Sequence, residues 1–198
     1  MIRVARQEEP ADFDAKVRRP GLASGSKLKP TWRNCLDELA EAYAYRCAYL
    51  AFVIPPGTGA RSVEHFRPKS RYRELAYEWS NYRLVCALLN GRKADHEDVL
   101  DPCEVHDGWF RLRDMASLEV EPALGLPPDV TAAVVATIQR LRLNSPACVE
   151  ARAFYWRPYL DKGLSLSLLE EWSPFVAREA RRLGALLPED LDPSRLEH

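Results

Sequence analysis

The stretch that decides the fold is residues 61–96, "RSVEHFRPKSRYRELAYEWSNYRLVCALLNGRKADH". Within it, "RSVEHF" and "NYRLVC" have the composition of strands, and "ALLNGRKA" is typical of a short helix. The polar segment between the two strand-like runs predicts a connecting loop, so the order is strand, loop, strand, helix. Glu64 and His65 end the first predicted strand. Asn81 precedes the second strand, and Asn90 lies on the helix.

These residue types match what hydrolysis of a phosphodiester bond requires, which is a general base near pH 7, a divalent cation and cationic side chains. Histidine supplies the base, and carboxylate and amide oxygens are hard ligands that suit Mg²⁺. Adjacent residues on a strand point to opposite sides of its backbone, so Glu64 and His65 can serve different purposes. The alternative is that the four polar residues are unrelated surface positions.

Charge is divided unevenly along the chain. The formal net charge is −1, but residues 61–94 hold eight Lys or Arg against three Glu, a local excess of +5. Such a segment on an otherwise acidic protein predicts a phosphate-binding face, because backbone phosphates are met mainly by Lys and Arg. A solvated charged loop explains the same pattern equally well.

Helices are predicted for most of the remaining chain. Apolar residues recur every three to four positions from Trp32 to about Val53, which predicts one long helix. Short strands are predicted in "GWFRLRD" and "SLEVEP", followed by a helix capped by Asp129, another through Phe154 and a helical tail over 164–187. The predicted fold class is α+β and mostly helical, with a two-stranded hairpin and a short helix braced by the surrounding helices.

Length and composition predict one domain over residues 1–195, with a core at about 47–103 and a helical C-terminal part at about 128–187. Residues 196–198, "LEH", are interpreted as a tag remnant. The chain has no apolar run of about 18 residues, and its first residues, "MIRVARQEEP", lack the apolar centre of a signal peptide. A cytoplasmic location without membrane association is therefore expected. The five cysteines are scattered, which favours reduced thiols.

The ordered polar residues resemble the HNH, or ββα-metal, endonucleases. In that family an acid–His or His–His pair ends the first strand, an Asn fixes the loop before the second strand, and a His or Asn on the helix binds metal. The surrounding "EHFRPKS", "WSNYRLVC" and "NGRK" strengthen the resemblance. It implies His65 as general base and Glu64 and Asn90 as ligands of one Mg²⁺ or Mn²⁺. Asn81 would complete the catalytic set by fixing the loop.

The same resemblance implies that basic residues of this stretch contact backbone phosphates. The first candidates are Arg67, Lys69 and Lys93, and behind them come Arg71, Arg73 and Arg92. His96 and His106 match no position of the family pattern and are interpreted as surface residues.

Many relatives carry two Cys-x-x-Cys pairs that hold a structural zinc, and both pairs look half lost here. Cys47 and Cys86 stand at the first positions, whereas Leu50 and Leu89 stand at the second. Two cysteines cannot complete a tetrahedral site, so no structural zinc is expected, and the two leucines are predicted to be buried and close together. Weak metal binding by the cysteines with outside ligands is the open alternative.

The resemblance extends to "VLDPCEV", "GWFRLRDMASLEVEP" and "ATIQRLRLNSPACVEAR", which are similar to segments of HNH proteins in retron- and Septu-type antiphage systems. Those proteins act beside an ATPase of the ABC/SMC-like type. The resemblance therefore implies a DNA endonuclease of bacterial antiphage defence with an ATPase partner. Cleavage of RNA, and a non-cleaving subunit that binds nucleic acid or the ATPase, stay open.

Overall fold

A computed structural model describes residues 1–25 and 27–191, so the predicted tag remnant at 196–198 lies outside the described residues. The described chain forms seven α-helices and two two-stranded antiparallel sheets, which confirms the predicted, mostly helical α+β class. The helices are α1 (Arg19–Leu22), α2 (Leu36–Ala42), α3 (Ala87–Lys93), α4 (Pro128–Leu141), α5 (Pro146–Leu160), α6 (Leu166–Trp172) and α7 (Pro174–Arg182). The strands are β1 (Arg61–His65), β2 (Tyr82–Cys86), β3 (Phe110–Leu112) and β4 (Val120–Pro122). No helix in the described part of the chain is long and apolar enough to cross a membrane.

The centre of the fold is the hairpin of β1 and β2, followed at once by α3. The two strands are antiparallel, with Arg61 opposite Cys86 and His65 opposite Tyr82. Every residue of β2 is buried, because α2 and α3 both pack against the hairpin. Good helix formers follow β2 without a turn residue, so α3 begins directly. The predicted order of strand, loop, strand and helix is confirmed.

The predicted helix from Trp32 to about Val53 is wrong. A 3₁₀ turn covers Thr31–Cys35, and α2 ends after seven residues. Ala44 and Tyr45 then adopt left-handed backbone conformations, with φ of 47° and 59°, which a right-handed helix cannot contain.

The apolar spacing beyond α2 belongs to a loop. The Cys47 N–H donates to the Phe52 carbonyl at 2.9 Å, and the Ala48 N–H donates to the Leu84 carbonyl of β2 at 2.8 Å. This segment therefore folds tightly onto the hairpin, where Cys47 and Leu50 are buried. Every residue from Cys47 to Phe52 is buried, so the apolar positions that match helical spacing are part of a continuously buried loop.

The loop brings Cys47 against Cys86 at the end of β2. Hydrogen bonding with Cys47 lowers the pKa of Cys86 to about 7, whereas burial raises the pKa of Cys47. Leu50 and Leu89 are 2% and 0% exposed, which confirms the burial predicted for both. Among the described residues, no three His, Cys, Asp or Glu side chains are grouped as metal ligands would be.

Two polar side chains connect the sheet of β3 and β4 to the C-terminal helices through hydrogen bonds. Asn144 accepts the Val120 N–H at 2.7 Å and donates to the Val120 carbonyl at 2.8 Å. Arg152, which is 1% exposed, donates to the carbonyls of Leu118 and Leu143, both at 2.7 Å. Because buried backbone groups must be paired, these contacts explain the Asn and Arg of the "LNSPACVEAR" segment.

Two helix boundaries differ from those predicted. The tail over 164–187 is divided into α6 and α7, since Pro174 after Ser173 has no N–H with which to continue the first helix. Asp129 does not cap α4, because that helix already begins at Pro128 and its first residues receive no side-chain capping bond.

The buried leucines predict that a zinc site can be rebuilt. Replacing both at once, Leu50→Cys with Leu89→Cys, would add two thiols beside Cys47 and Cys86. The double variant is expected to bind one Zn²⁺ per chain and to melt at a higher temperature when zinc is present. Competition with a chromogenic chelator measures the stoichiometry, with each single variant as control. Zinc binding no stronger than in the singles would show that Leu50 and Leu89 are not close together.

Candidate active site

A cleft of about 550 Å³ opens beside the hairpin and is lined by β1, α3 and the 3₁₀ turn that precedes α2. Glu64, His65 and Asn90 all line this cleft, so the structure brings these three predicted site residues together. Asn81 is not among the residues that line it.

Glu64 is held from two sides. Its carboxylate is 2% exposed, and its Oε2 accepts the Tyr49 hydroxyl at 3.0 Å. The Lys93 Nζ lies 2.8 Å from Oε1, but its hydrogen bonds are directed to the carbonyls of His65 and Phe66, at 3.3 and 2.7 Å. Oε1 therefore has an ion-pair contact without an aligned hydrogen bond.

The charge of Glu64 depends on Lys93. Burial raises the pKa of Glu64, and the Lys93 ammonium and the Tyr49 hydroxyl oppose that rise. A carboxylate so deeply buried is stable as an anion only when it is paired. Lys93 therefore provides the positive charge that favours the ionised form of Glu64.

The orientation of His65 follows from one hydrogen bond. Its Nε2 lies 3.0 Å from the Ala76 carbonyl, which can only accept, so Nε2 carries the proton and Nδ1 is the unprotonated nitrogen. The rings of Trp32 and Tyr82 pack edge-on against the imidazole, with centroids 4.8 and 5.1 Å away. His65 is 6% exposed and has a fixed orientation and tautomer.

His65 is neutral at physiological pH. Burial lowers its pKa to about 4, and the positive charge of Lys69 contributes in the same direction. The charged imidazolium is thus disfavoured in the free protein, and the neutral ring keeps a lone pair on Nδ1 that can accept a proton.

The two asparagines use their amides differently. Asn81 is 5% exposed, accepts the Arg67 N–H at 2.7 Å, and donates to the carbonyls of Arg67 and Leu75 at 3.0 and 3.1 Å. These contacts close the loop between the strands, which is the role that the resemblance implied. Asn90 donates through Nδ2 to the Ser62 hydroxyl at 3.1 Å, and its Oδ1 has no hydrogen bond within the described part of the chain.

Three of the predicted phosphate contacts lie at or near the surface. Lys69 lines the cleft, with its ammonium 5.2 Å from the centre of the Trp32 ring. Arg67 and Arg71 are exposed, and both pair with Glu97, at 3.1 and 2.6 Å. Glu97 is 24% exposed and also accepts the Tyr72 hydroxyl at 2.8 Å, so one carboxylate holds both guanidinium groups.

The other three predicted phosphate contacts are placed differently. Arg73 is exposed and does not line the cleft. Arg92 donates to the carbonyls of Leu141 and Arg142, at 2.9 and 3.1 Å, where α4 ends. Lys93 is 0% exposed, so its ammonium does not reach solvent in this conformation.

The local charge excess is smaller in the fold than along the sequence. Asp101 forms a buried pair with Arg83 at 2.6 Å, and Glu97 neutralises the two exposed arginines described above. Both acids lie beyond residue 94 in the chain. In the fold Glu97 lies against the loop and Asp101 against β2.

Four further residues belong to this site and were not singled out in the sequence as site residues. Arg33, Arg61 and Asp95 line the cleft, and Tyr49 binds Glu64. Asp95 was recognisable as a carboxylate close to the helical asparagine. No signal in the sequence connects Tyr49 with Glu64, because their contact depends on how the loop after α2 folds onto the hairpin.

Comparison with known proteins gives one distant relative. No protein family model matches the chain. Over 107 residues, 52% of this chain, it is 28% identical to the Septu protein PtuB of Bacillus thuringiensis. The matched segment covers 40% of that protein, so the chain spans less than half the length of this curated relative.

The buried imidazole predicts a specific pH dependence of stability. Its pKa of about 4 in the folded protein lies below the ordinary value of 6.5, so the unfolded chain binds more protons between these pH values. The contribution of neutral His65 is therefore complete above pH 6.5 and is lost as the pH falls towards 4. From pH 7 to pH 4, the unfolding free energy of the wild type should fall by about 3 kcal/mol more than that of His65→Gln. Urea denaturation at both pH values measures this difference, and equal losses would contradict it.

Proposed function

We propose that the protein is a metal-dependent endonuclease that hydrolyses phosphodiester bonds in DNA. The observation that carries this proposal is the meeting of Glu64, His65 and Asn90 in one cleft. Together they offer a proton acceptor and two hard oxygen ligands, the groups that this hydrolysis requires. Lys69 and Arg61 on the same cleft add the positive charge that a phosphate backbone needs.

His65 serves as the general base. Because the Ala76 carbonyl binds its Nε2–H, Nδ1 is the atom that takes the proton from water. The water oxygen then bonds to phosphorus as the bond to the 3′-oxygen breaks. The 3′-oxygen takes a proton from solvent water, so the products are a 5′-phosphate and a 3′-hydroxyl. A pKa of about 4 keeps the ring unprotonated at neutral pH, although it also makes His65 a weaker base than an exposed histidine.

Glu64 and Asn90 fit a hard divalent cation, Mg²⁺ or Mn²⁺. Oε1 of Glu64 is buried without an aligned hydrogen bond. In the Asn90 amide, Nδ2 binds the Ser62 hydroxyl, which leaves the oxygen Oδ1 for a cation. Two protein ligands suit an ion that keeps several waters and shares itself with a phosphate. When bound, the cation would stabilise negative charge on the phosphate and on the leaving oxygen.

Tyr49 and Lys93 are positioning residues in this proposal. Carboxylates that bind metal depend on neighbouring groups that fix their orientation, and these two side chains contact the two oxygens of Glu64. Lys93 also donates to the carbonyls of His65 and Phe66 and so fixes the end of β1. We assign Lys93 this role in place of the phosphate contact, because its ammonium is fully buried.

Backbone phosphates beside the scissile bond would meet the remaining basic residues. Lys69 lines the cleft, as Arg61 does, and would contact a phosphate there. Arg67 and Arg71 would bind phosphates after leaving Glu97, and Arg73 extends the same exposed loop.

The similarity to a Septu protein supports a place in antiphage defence. It covers half of this chain and agrees with the resemblance of the hairpin segment to HNH nucleases. A Septu-type system has several components, so we propose that the protein acts in the cytoplasm beside a partner, an ATPase of the ABC/SMC-like type.

A second candidate is a subunit that binds nucleic acid or the ATPase without cutting. The Glu64–Lys93 pair favours it, because the ammonium already neutralises the carboxylate that the cation would bind. An RNA-cutting nuclease would use the same residues as the DNA nuclease, and only the substrate distinguishes the two.

Cleavage of supercoiled plasmid, and of tRNA in parallel, tests the proposal. With Mg²⁺ or Mn²⁺ the wild type is expected to cut plasmid, and EDTA should abolish cutting. His65→Ala should lower the rate at least about 100-fold because it removes the general base. His106→Ala, which changes an exposed histidine outside the cleft, is the matched control and should cut normally. No cutting of either polymer by the wild type, also with the partner ATPase present, would favour the binding subunit.

Tyr49→Phe tests whether the hydroxyl positions the metal ligand. Loss of this hydrogen bond should weaken Mn²⁺ binding about 10- to 100-fold, measured by calorimetry or by electron paramagnetic resonance. Tyr72→Phe is the control, because the Tyr72 hydroxyl also binds a carboxylate, that of Glu97, away from the cleft. Equal Mn²⁺ affinities of wild type and Tyr49→Phe would show that Tyr49 does not position the ligand.

A further inference from the structure

A second depression of about 620 Å³, the α3–α4 groove, lies between α3 and α4. Three arginines and one aspartate supply its charge, so the groove is positive at neutral pH. Its lining includes Gly91, Arg92, His96, Asp98, Arg140 and Arg142.

Two of the arginines are held by the protein. Arg92 donates to two carbonyls at the end of α4 and to the Cys148 sulfur at 3.3 Å, so it joins α3 to α4. Arg140 forms a bidentate pair with Asp98 at 3.0 Å and contacts the His96 ring. These contacts fix the walls of the groove.

Arg142 is different. Its side chain is exposed, and its guanidinium has no hydrogen bond or ion pair within the described residues. Its backbone is left-handed, with φ of 49° and ψ of 51°, at the end of α4 where glycine is the usual residue. The chain therefore places a long cationic side chain at a position whose backbone favours a residue without one.

Helix α3 separates the groove from the catalytic cleft. Asn90 and Ala94 line the cleft, whereas Gly91 and Arg92 line the groove. A Cβ added at Gly91 would meet nothing within 4 Å, so packing does not require glycine there. Glycine inside a helix is unfavourable, but here it leaves the surface between the two depressions without a side chain.

We propose that the α3–α4 groove binds a backbone phosphate of the same DNA that occupies the cleft, with Arg142 as the principal contact. The DNA passes from one depression to the other across α3 at Gly91. This inference rests on the proposed function for the identity of the polymer, but binding can be measured without cleavage.

Two substitutions separate binding from stability. Arg142→Gly removes the cation and suits the left-handed backbone, and Gly91→Gln adds bulk and favours the helix. Neither variant should melt at a lower temperature than the wild type. Both should weaken binding of a labelled DNA duplex long enough to span the two depressions, by about tenfold for Arg142→Gly. Arg142→Gly should also lower the slope of log affinity against log salt by about 1.

The matched control is Arg157→Ala. Arg157 is an exposed arginine on α5, nine residues beyond Cys148 and about 13 Å farther along the helix axis. Its loss should leave the affinity and the salt slope unchanged. All variants are compared in the His65→Ala background, so that the duplex stays intact, and fluorescence anisotropy gives the affinities.

The outcomes distinguish this inference from the proposed function. Plasmid cutting by the wild type together with unchanged DNA binding by Arg142→Gly would contradict phosphate binding by the groove and would support the proposed nuclease activity. Weakened binding by Arg142→Gly together with no cutting by the wild type would support the groove and count against the nuclease. An equal effect of Arg157→Ala, or no binding of the duplex at all, would overturn the groove.

Discussion

The buried ion pair between Glu64 and Lys93 is the interaction on which the centre of the molecule depends. It joins the end of β1 to the last turn of α3, and its two residues are only 2% and 0% exposed. Leaving either charge unpaired at such a depth would cost about 3–5 kcal/mol, so strand and helix are held in one relative position. Asn90 lies one turn before Lys93 on α3, and its place in the cleft follows from that position.

The fold was predictable where it is local. The two strands, the loop and α3 follow one another within residues 61–96, and each is indicated by its own composition. The segment after α2 was not predictable, because Ala44 and Tyr45 adopt left-handed conformations without a glycine or asparagine to indicate them. Some of its apolar residues have helical spacing in the sequence, but in the fold all six residues from Cys47 to Phe52 are buried, as expected of a loop covered on every side.

For the candidate site, the sequence predicted which residues meet but not the contacts that surround them. Convergence of Glu64, His65 and Asn90 on one cleft follows from the order of strand, loop, strand and helix. The partner of each charged side chain does not follow from that order, because ion pairs depend on tertiary contacts. Lys93 is an ordinary lysine in the sequence and is fully buried in the fold. Glu97 lies outside the basic stretch and neutralises two of its arginines.

The loop after α2 contributes both to the core and to the candidate site. Cys47 and Leu50 pack against the hairpin, and between them Tyr49 reaches the Glu64 carboxylate. A change that loosens this packing would disturb the carboxylate as well, even if it left every cleft residue in place. A substitution in this loop must therefore preserve both the packing against the hairpin and the environment of the Glu64 carboxylate. Sequence change in this short segment is confined to substitutions that meet both requirements.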